Sequence, residues 1–121
     1  MPKILVIDDE MQMRELLKKS LTRAGYEVTL AGDGDEGIRC FQRAPADLVV
    51  TDLIMPEKEG LQCIVELCRL APGIKIIAVS GGGMGPAENY LELAKKMGAA
   101  KTLIKPFELK ELQEVIRELL P

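Results

Sequence analysis

The side chains best able to do chemistry fall in four short places: Asp8-Asp9-Glu10, Asp52, Ser80 and Lys105. Each place lies at or just past the end of an apolar, β-branched run. Carboxylates brought about 5 Å apart repel by roughly 3 kcal/mol at an effective dielectric near 20. Gathering Asp8, Asp9 and Asp52 therefore calls for a cation or for a carboxyl held protonated. The chain has no histidine and no cysteine beside these acids, so the donors are hard oxygens. Such donors suit Mg²⁺ keeping several waters, with Mn²⁺ as the alternative. A lysine and a hydroxyl facing that ion would complete a cage for the oxygens of a phosphoryl group. Taken singly, each acid is as well explained by helix capping or a solvated loop. Taken jointly, the five groups are not.

To meet, these residues need elements that end together. Five runs, "KILVI" (3–7), "YEVTLA" (26–31), "DLVVT" (47–51), "IKIIAVS" (74–80) and "KTLI" (101–104), are short and largely unbroken. Such runs suit parallel strands buried on both faces. Between them apolar residues recur at helical spacing. Met13, Leu16, Leu17, Ser20, Leu21 and Ala24 form one stripe, Leu61, Ile64, Val65 and Cys68 a second, and Leu109, Leu112, Ile116 and Leu119 a third. Gly25, Gly73 and Gly98 mark helix ends, and Pro86 suits the first turn of the fourth helix. The second helix, near 34–43, carries Gly34 and Gly37 against helix formation. The alternation reads as one α/β domain over 1–121 of (βα)₅ type, an open doubly wound parallel sheet with right-handed crossovers. In such sheets sites form beyond the carboxyl ends of the strands, where the strand order reverses.

Several other chemistries are excluded. The lack of histidine removes serine or cysteine catalysis by a histidine base and the commonest zinc ligand. Cys40, Cys63 and Cys68 are odd in number, match no CxxC spacing, and read as small core residues of a reducing compartment. A net charge of −3 argues against nucleic acid or anionic membrane as the direct partner. No apolar run approaches the ~18 residues of a membrane span, and "MPKILVID" lacks the form of a signal peptide, so a cytoplasmic location is expected. "GDGDEG" (32–37) fails the calcium-loop pattern and reads as a turn opening a helix. "VSGGGMGPAENY" (79–90) has the strand-to-helix setting of a phosphate loop but lacks the Lys-Ser/Thr of a P-loop, and Pro86 breaks GxGxxG. A flavin is disfavoured because acids occupy the loop after the first strand and only four aromatics are available.

Four motifs in order, "ILVIDDE", "DLVVTDLIMPEKEGL", "IIAVSGGG" and "GAAKTLIKPF", resemble the receiver domains of two-component response regulators from about Lys3 to Leu119. The resemblance implies a flavodoxin-like strand order 2-1-3-4-5. It also implies Asp52 as phosphoacceptor, with Asp8, Asp9, Asp52 and the backbone carbonyl of Ile54 holding Mg²⁺. Ser80 would then donate its hydroxyl to a phosphoryl oxygen, and Lys105 would pair with Asp52 and then with the phosphoryl group. The Lys105–Pro106 bond would be cis, and small Gly81 would leave room for the incoming group. The donor would be a sensor histidine kinase or a phosphotransfer protein, because this chain has no histidine of its own. The receiver of the signal would be a downstream protein or an output domain.

Two positions depart from that family. Thr102 stands where receivers usually carry Tyr or Phe, so the glycines Gly81, Gly82, Gly83 and Gly85 are read as the moving part that lets Ser80 close and the fourth helix shift. An inert connector is the alternative reading of the same glycines. "GAAKT" replaces an acidic run common in receivers that dimerise through the fourth helix and fifth strand. Two rival functions remain: a binding module of the same fold without phosphorylation, and an aspartyl-phosphate hydrolase. The haloacid-dehalogenase-like form of the second needs an acid where this chain has Ile54. The chain ends at "ELLP", which fits a stand-alone receiver or the first domain of a larger regulator.

Overall fold

A computed structural model describes residues 1–53, 60–81 and 87–121, without the side chains of 87–91. Strands β1 (Lys3–Ile7), β2 (Glu27–Ala31), β3 (Leu48–Asp52), β4 (Lys75–Gly81) and β5 (Lys101–Lys105) alternate with helices α1 (Met11–Arg23), α2 (Gly34–Arg43), α3 (Gly60–Leu70), α4 (Ala87–Met97) and α5 (Leu109–Leu119). The strands form one parallel sheet in the order β2-β1-β3-β4-β5, the flavodoxin-like arrangement. The order reverses between β1 and β3, so the carboxyl ends of those two strands open the crevice where ligands bind in this architecture.

Burial follows position in the sheet. The inner strands β1, β3 and β4 are buried almost throughout, whereas edge strand β2 alternates between exposed and half-buried residues. Successive residues then serve opposite faces. Leu5, Ile7, Val49, Ile76 and Ala78 pack with Phe41, Cys63, Ile64, Leu67 and Ala94 from α2, α3 and α4. Ile4, Val6, Val50, Ile77 and Val79 pack with Leu17, Leu21, Leu112 and Ile116 from α1 and α5. No described helix is long and apolar enough to cross a membrane.

The helical stripes need two corrections. In α1 Leu17 and Leu21 are buried, but Leu16 and Ala24 face outward. In α3 the buried face is Gly60, Cys63, Ile64 and Leu67; of the expected stripe only Ile64 is buried, Leu61 and Cys68 are half-buried and Val65 is exposed. The cause is that α3 lies between α2 and α4, so its inner face points at the sheet while Leu61 and Cys68 pack along the borders. None of the three cysteines is in a disulfide; Cys63 is buried and the other two are half-buried.

The two glycines that counted against α2 prove structural. A Cβ on Gly37 would come within 2.4 Å of Ile7 Cδ1, so the missing side chain lets α2 press directly on β1. The helix is secured at its start by Asp33, whose Oδ1 accepts the Glu36 N–H at 2.8 Å, while Glu36 Oε1 in turn accepts the Gly32 N–H. This is a variant of the capping box, and it explains "GDGDEG" without any cation. Gly25, Gly73 and Gly98 adopt φ of 101°, 90° and 131° after α1, α3 and α4, the left-handed stops that glycine supplies.

Candidate functional site

The parallel strands deliver their final residues to one edge. Asp8 follows β1, Asp52 ends β3, Ser80 is the penultimate residue of β4, and Lys105 ends β5. Asp52 is registered against Val79 and Gly81 against Lys105. Asp8 and Asp52 are only 4% and 7% exposed and Ser80 is buried, whereas Asp9 and Glu10 face solvent. Oxygens of Asp8, Asp9 and Asp52 all lie within 4.8 Å of one another.

Lys105 joins the acids. Its Nζ donates to Asp52 Oδ2 at 2.9 Å and to Asp8 Oδ2 at 3.1 Å, and lies 3.6 Å from Glu10 Oε1. Burial alone would push the ammonium's pKa down. The hydrogen bond and charge of Asp52, followed by those of Asp8, outweigh it and hold the pKa above the ordinary 10.5. Lys105 is therefore a fixed positive charge at any physiological pH. Three carboxylates lie within 4.0 Å of this one ammonium and Asp9 adds a fourth to the acid cluster, so the crevice favours an added cation. The donor set is all oxygen and partly open to water through Asp9, which fits Mg²⁺ and does not fit zinc.

The described backbone around the site is tied down at several points. Asp8 N–H donates to Ala31 O at 3.1 Å, which joins the end of β1 to the end of β2. Asp8 Oδ1 accepts the Glu10 N–H at 2.8 Å, and Asp8 O accepts Arg14 Nη1 at 2.7 Å. Past Asp52, Leu53 N–H donates to Val79 O and Gly60 N–H to Leu53 O. A Cβ on Gly60 would fall 2.3 Å from Asp52 O and 2.4 Å from Leu53 Cα, so only glycine lets α3 start this close to the Asp52 carbonyl. The Lys105–Pro106 bond is cis.

Not every expected participant is placed. Asp8, Asp9, Asp52 and Lys105 meet directly, and Ser80 is buried one residue beyond the register partner of Asp52. Ile54, Gly82, Gly83 and Gly85 lie outside the described residues. Thr102 is half-buried on edge strand β5 opposite Ala78. At Gly81 a Cβ would lie 2.5 Å from Lys105 Cβ, so the missing side chain makes room for the lysine stem. Arg14 and Gly60 were not singled out by residue type. An arginine inside an amphipathic helix and a glycine at a helix start carry no spacing signal that marks a site.

Comparison with known proteins agrees with this geometry. The family described as response regulator receiver domain matches residues 4–117. The chemotaxis protein CheY of Thermotoga maritima is 35% identical over 117 residues, covering 96% of this chain and 95% of its own. The probable transcriptional regulator ycf27 of Cyanophora paradoxa is 41% identical over 119 residues, which are 98% of this chain but 48% of that protein. For the DNA-binding transcriptional regulator NtrC of Azospirillum brasilense the matched share is 24% of its length. The chain thus spans from about a quarter to half of such regulators and nearly all of CheY. Among solved structures, a response regulator receiver domain protein from Clostridium thermocellum superposes with a TM-score of 0.92 at 33% identity, over 99% of this chain and 94% of that one. With the match running across nearly its whole length, this chain belongs to the receiver domains of two-component response regulators.

Proposed function

We propose that this domain is a phosphorylation-activated switch in which Asp52 accepts a phosphoryl group from a phosphohistidine of a sensor histidine kinase or phosphotransfer protein. The observation that carries the reading is Lys105 Nζ bridging the buried carboxylates of Asp52 and Asp8 at the switch point, with Asp9 completing the acid cluster. An oxygen of Asp52 attacks phosphorus in line; the O–P bond forms and the P–N bond breaks. The imidazole nitrogen keeps the electron pair and leaves neutral after taking a proton. Lys105 neutralises charge on the transferring oxygens, and Ser80 donates its hydroxyl to one of them. Asp8, Asp9, Asp52 and the Ile54 carbonyl are the residues that would hold Mg²⁺. When bound, the ion supplies charge neutralisation and orientation for the phosphoryl oxygens. Slow attack of water on phosphorus, breaking the same O–P bond, returns free Asp52.

The direct test uses the chain as it stands. Incubation with acetyl phosphate and Mg²⁺ is expected to add the mass of one phosphoryl group, and chelation of the metal is expected to prevent it. If neither acetyl phosphate nor phosphoramidate adds that mass, the domain is a binding module of the same fold instead.

The signal is read out, in this proposal, through the β4–α4 segment and α4 toward a downstream protein or an output domain, in the cytoplasm. The four glycines at 81, 82, 83 and 85 support it by composition, since each lowers the penalty for unusual backbone angles. Thr102 supports it from the other side, because a short β-branched side chain on β5 offers no aromatic ring to swing. Amide exchange across residues 81–86 is expected to slow when beryllofluoride is bound to Asp52. Equal rates with and without that phosphoryl mimic would reduce the segment to a connector.

A further inference from the structure

We infer that Arg14 is a positioning residue for the metal-binding turn, fixing the peptide between Asp8 and Asp9 from the first turns of α1. The inference rests on the Mg²⁺ reading proposed above and adds to it a residue outside the acid cluster. Arg14 is half-buried, and its Nη1 donates to the backbone carbonyl of Asp8 at 2.7 Å. That carbonyl belongs to the planar Asp8–Asp9 peptide, so holding its oxygen fixes the rotation of the plane and the direction in which Asp9 leaves it. The two flanking residues are secured by the same turn: Asp8 Oδ1 accepts the Glu10 N–H at 2.8 Å, and Arg14 N–H donates to Glu10 O at 3.0 Å.

The guanidinium is itself braced. It lies against Gly32, where a Cβ would be 3.3 Å from Nη1 and 3.7 Å from Cζ. Gly32 is held by Glu36 Oε1 on its N–H, and Glu36 by the Asp33 cap. Arg14 therefore ties the turn after β1 to the turn after β2. Asp9 is the exposed member of the cluster, so it is the ligand with the most freedom to lose and the one most dependent on how its backbone is aimed.

Charge and position make opposite demands, and the sign separates them. A guanidinium near a cation site repels the ion, so removing it by charge alone would tighten Mg²⁺ binding. Removing a group that orients a ligand loosens binding, typically 10- to 100-fold for such outer partners. We expect Arg14→Ala to weaken Mg²⁺ binding by about tenfold in calorimetric titration of the full chain. The Glu10 amide is expected to exchange about tenfold faster, while the Val6 and Ile7 amides of β1 keep their protection. Arg14→Lys keeps a donor on a stem of similar reach and is expected to recover most of both losses.

Unchanged Glu10 exchange in Arg14→Ala, or Mg²⁺ bound as tightly as in the wild type or more so, overturns the inference. Arg14→Lys as impaired as Arg14→Ala overturns the hydrogen-bond account. If wild-type protein binds no Mg²⁺ yet Arg14→Ala still frees the Glu10 amide, the positioning role stands and the metal reading falls.

Discussion

Asp52→Asn is expected to abolish Mg²⁺-dependent labelling by acetyl phosphate, lowering its rate at least ~10³-fold, while the protein stays folded. Asparagine has the shape of aspartate and its side-chain oxygen can still accept from Lys105, so the packing at the end of β3 is kept. What it lacks is a carboxylate oxygen able to form an acyl phosphate. Ser80 is buried at 1% exposure and has no histidine to activate it, so it offers no substitute acceptor. The same substitution should weaken Mg²⁺ binding by tenfold or more. A divalent ion loses one of three carboxylates, each worth several kcal/mol of attraction at ~4 Å and an effective dielectric near 20 before desolvation is subtracted.

Stability provides the control. Without metal, the crevice holds Asp8, Asp9, Glu10 and Asp52 against Lys105. Neutralising one buried carboxylate relieves repulsion with Asp8, so metal-free Asp52→Asn should melt at or above the wild-type temperature and gain less from Mg²⁺. Loss of labelling together with undiminished melting isolates the chemistry from the fold. Labelling that persists at the wild-type rate would place the acceptor elsewhere and remove the basis for the switch.

The sequence made the sheet legible because its inner strands are continuous apolar runs, and the residues that follow them are those a doubly wound sheet must bring together. Asp8, Asp52 and Lys105 could be found that way, since type and position both marked them. What stayed hidden depended on close approach. Gly37 reads as a helix breaker until Ile7 is seen beneath it, and Gly60 as an ordinary start until the Asp52 carbonyl is seen against it. The α3 face was misread for a related reason. Periodicity fixes which residues share a face but not which way it turns when a helix has neighbours on both sides. Arg14 was invisible because its partner is a backbone carbonyl, and a carbonyl leaves no letter in the sequence.

Lys105→Ala should have the largest effect on the metal-free protein. It removes the ammonium that two buried carboxylates now share. Removing one partner of a buried pair costs about 3–5 kcal/mol before relaxation. A loss of roughly 10 °C in melting temperature in chelator at neutral pH is the expected scale for a domain of this size. Mg²⁺ should restore it, by about 2.7 kcal/mol at a hundredfold excess over Kd. The ion should also bind more tightly than in the wild type, because its competitor for Asp8 and Asp52 is gone. This is the opposite sign to Arg14→Ala, and the pair of variants separates a charge that opposes the ion from one that aims its ligands.

The pH dependence follows with a definite sign. In the wild type the folded pKa of Lys105 is raised above 10.5, so the folded state holds its proton longer than the unfolded chain. The stabilisation is fully present below that value and is lost as pH rises above it toward the folded pKa. The stability gap between wild type and Lys105→Ala should therefore be constant through neutral pH and begin to close above about 10.5. A gap that does not narrow in alkali would mean that the Lys105 bridge contributes packing and no charge, and the case for an ammonium waiting for a phosphoryl group would go with it.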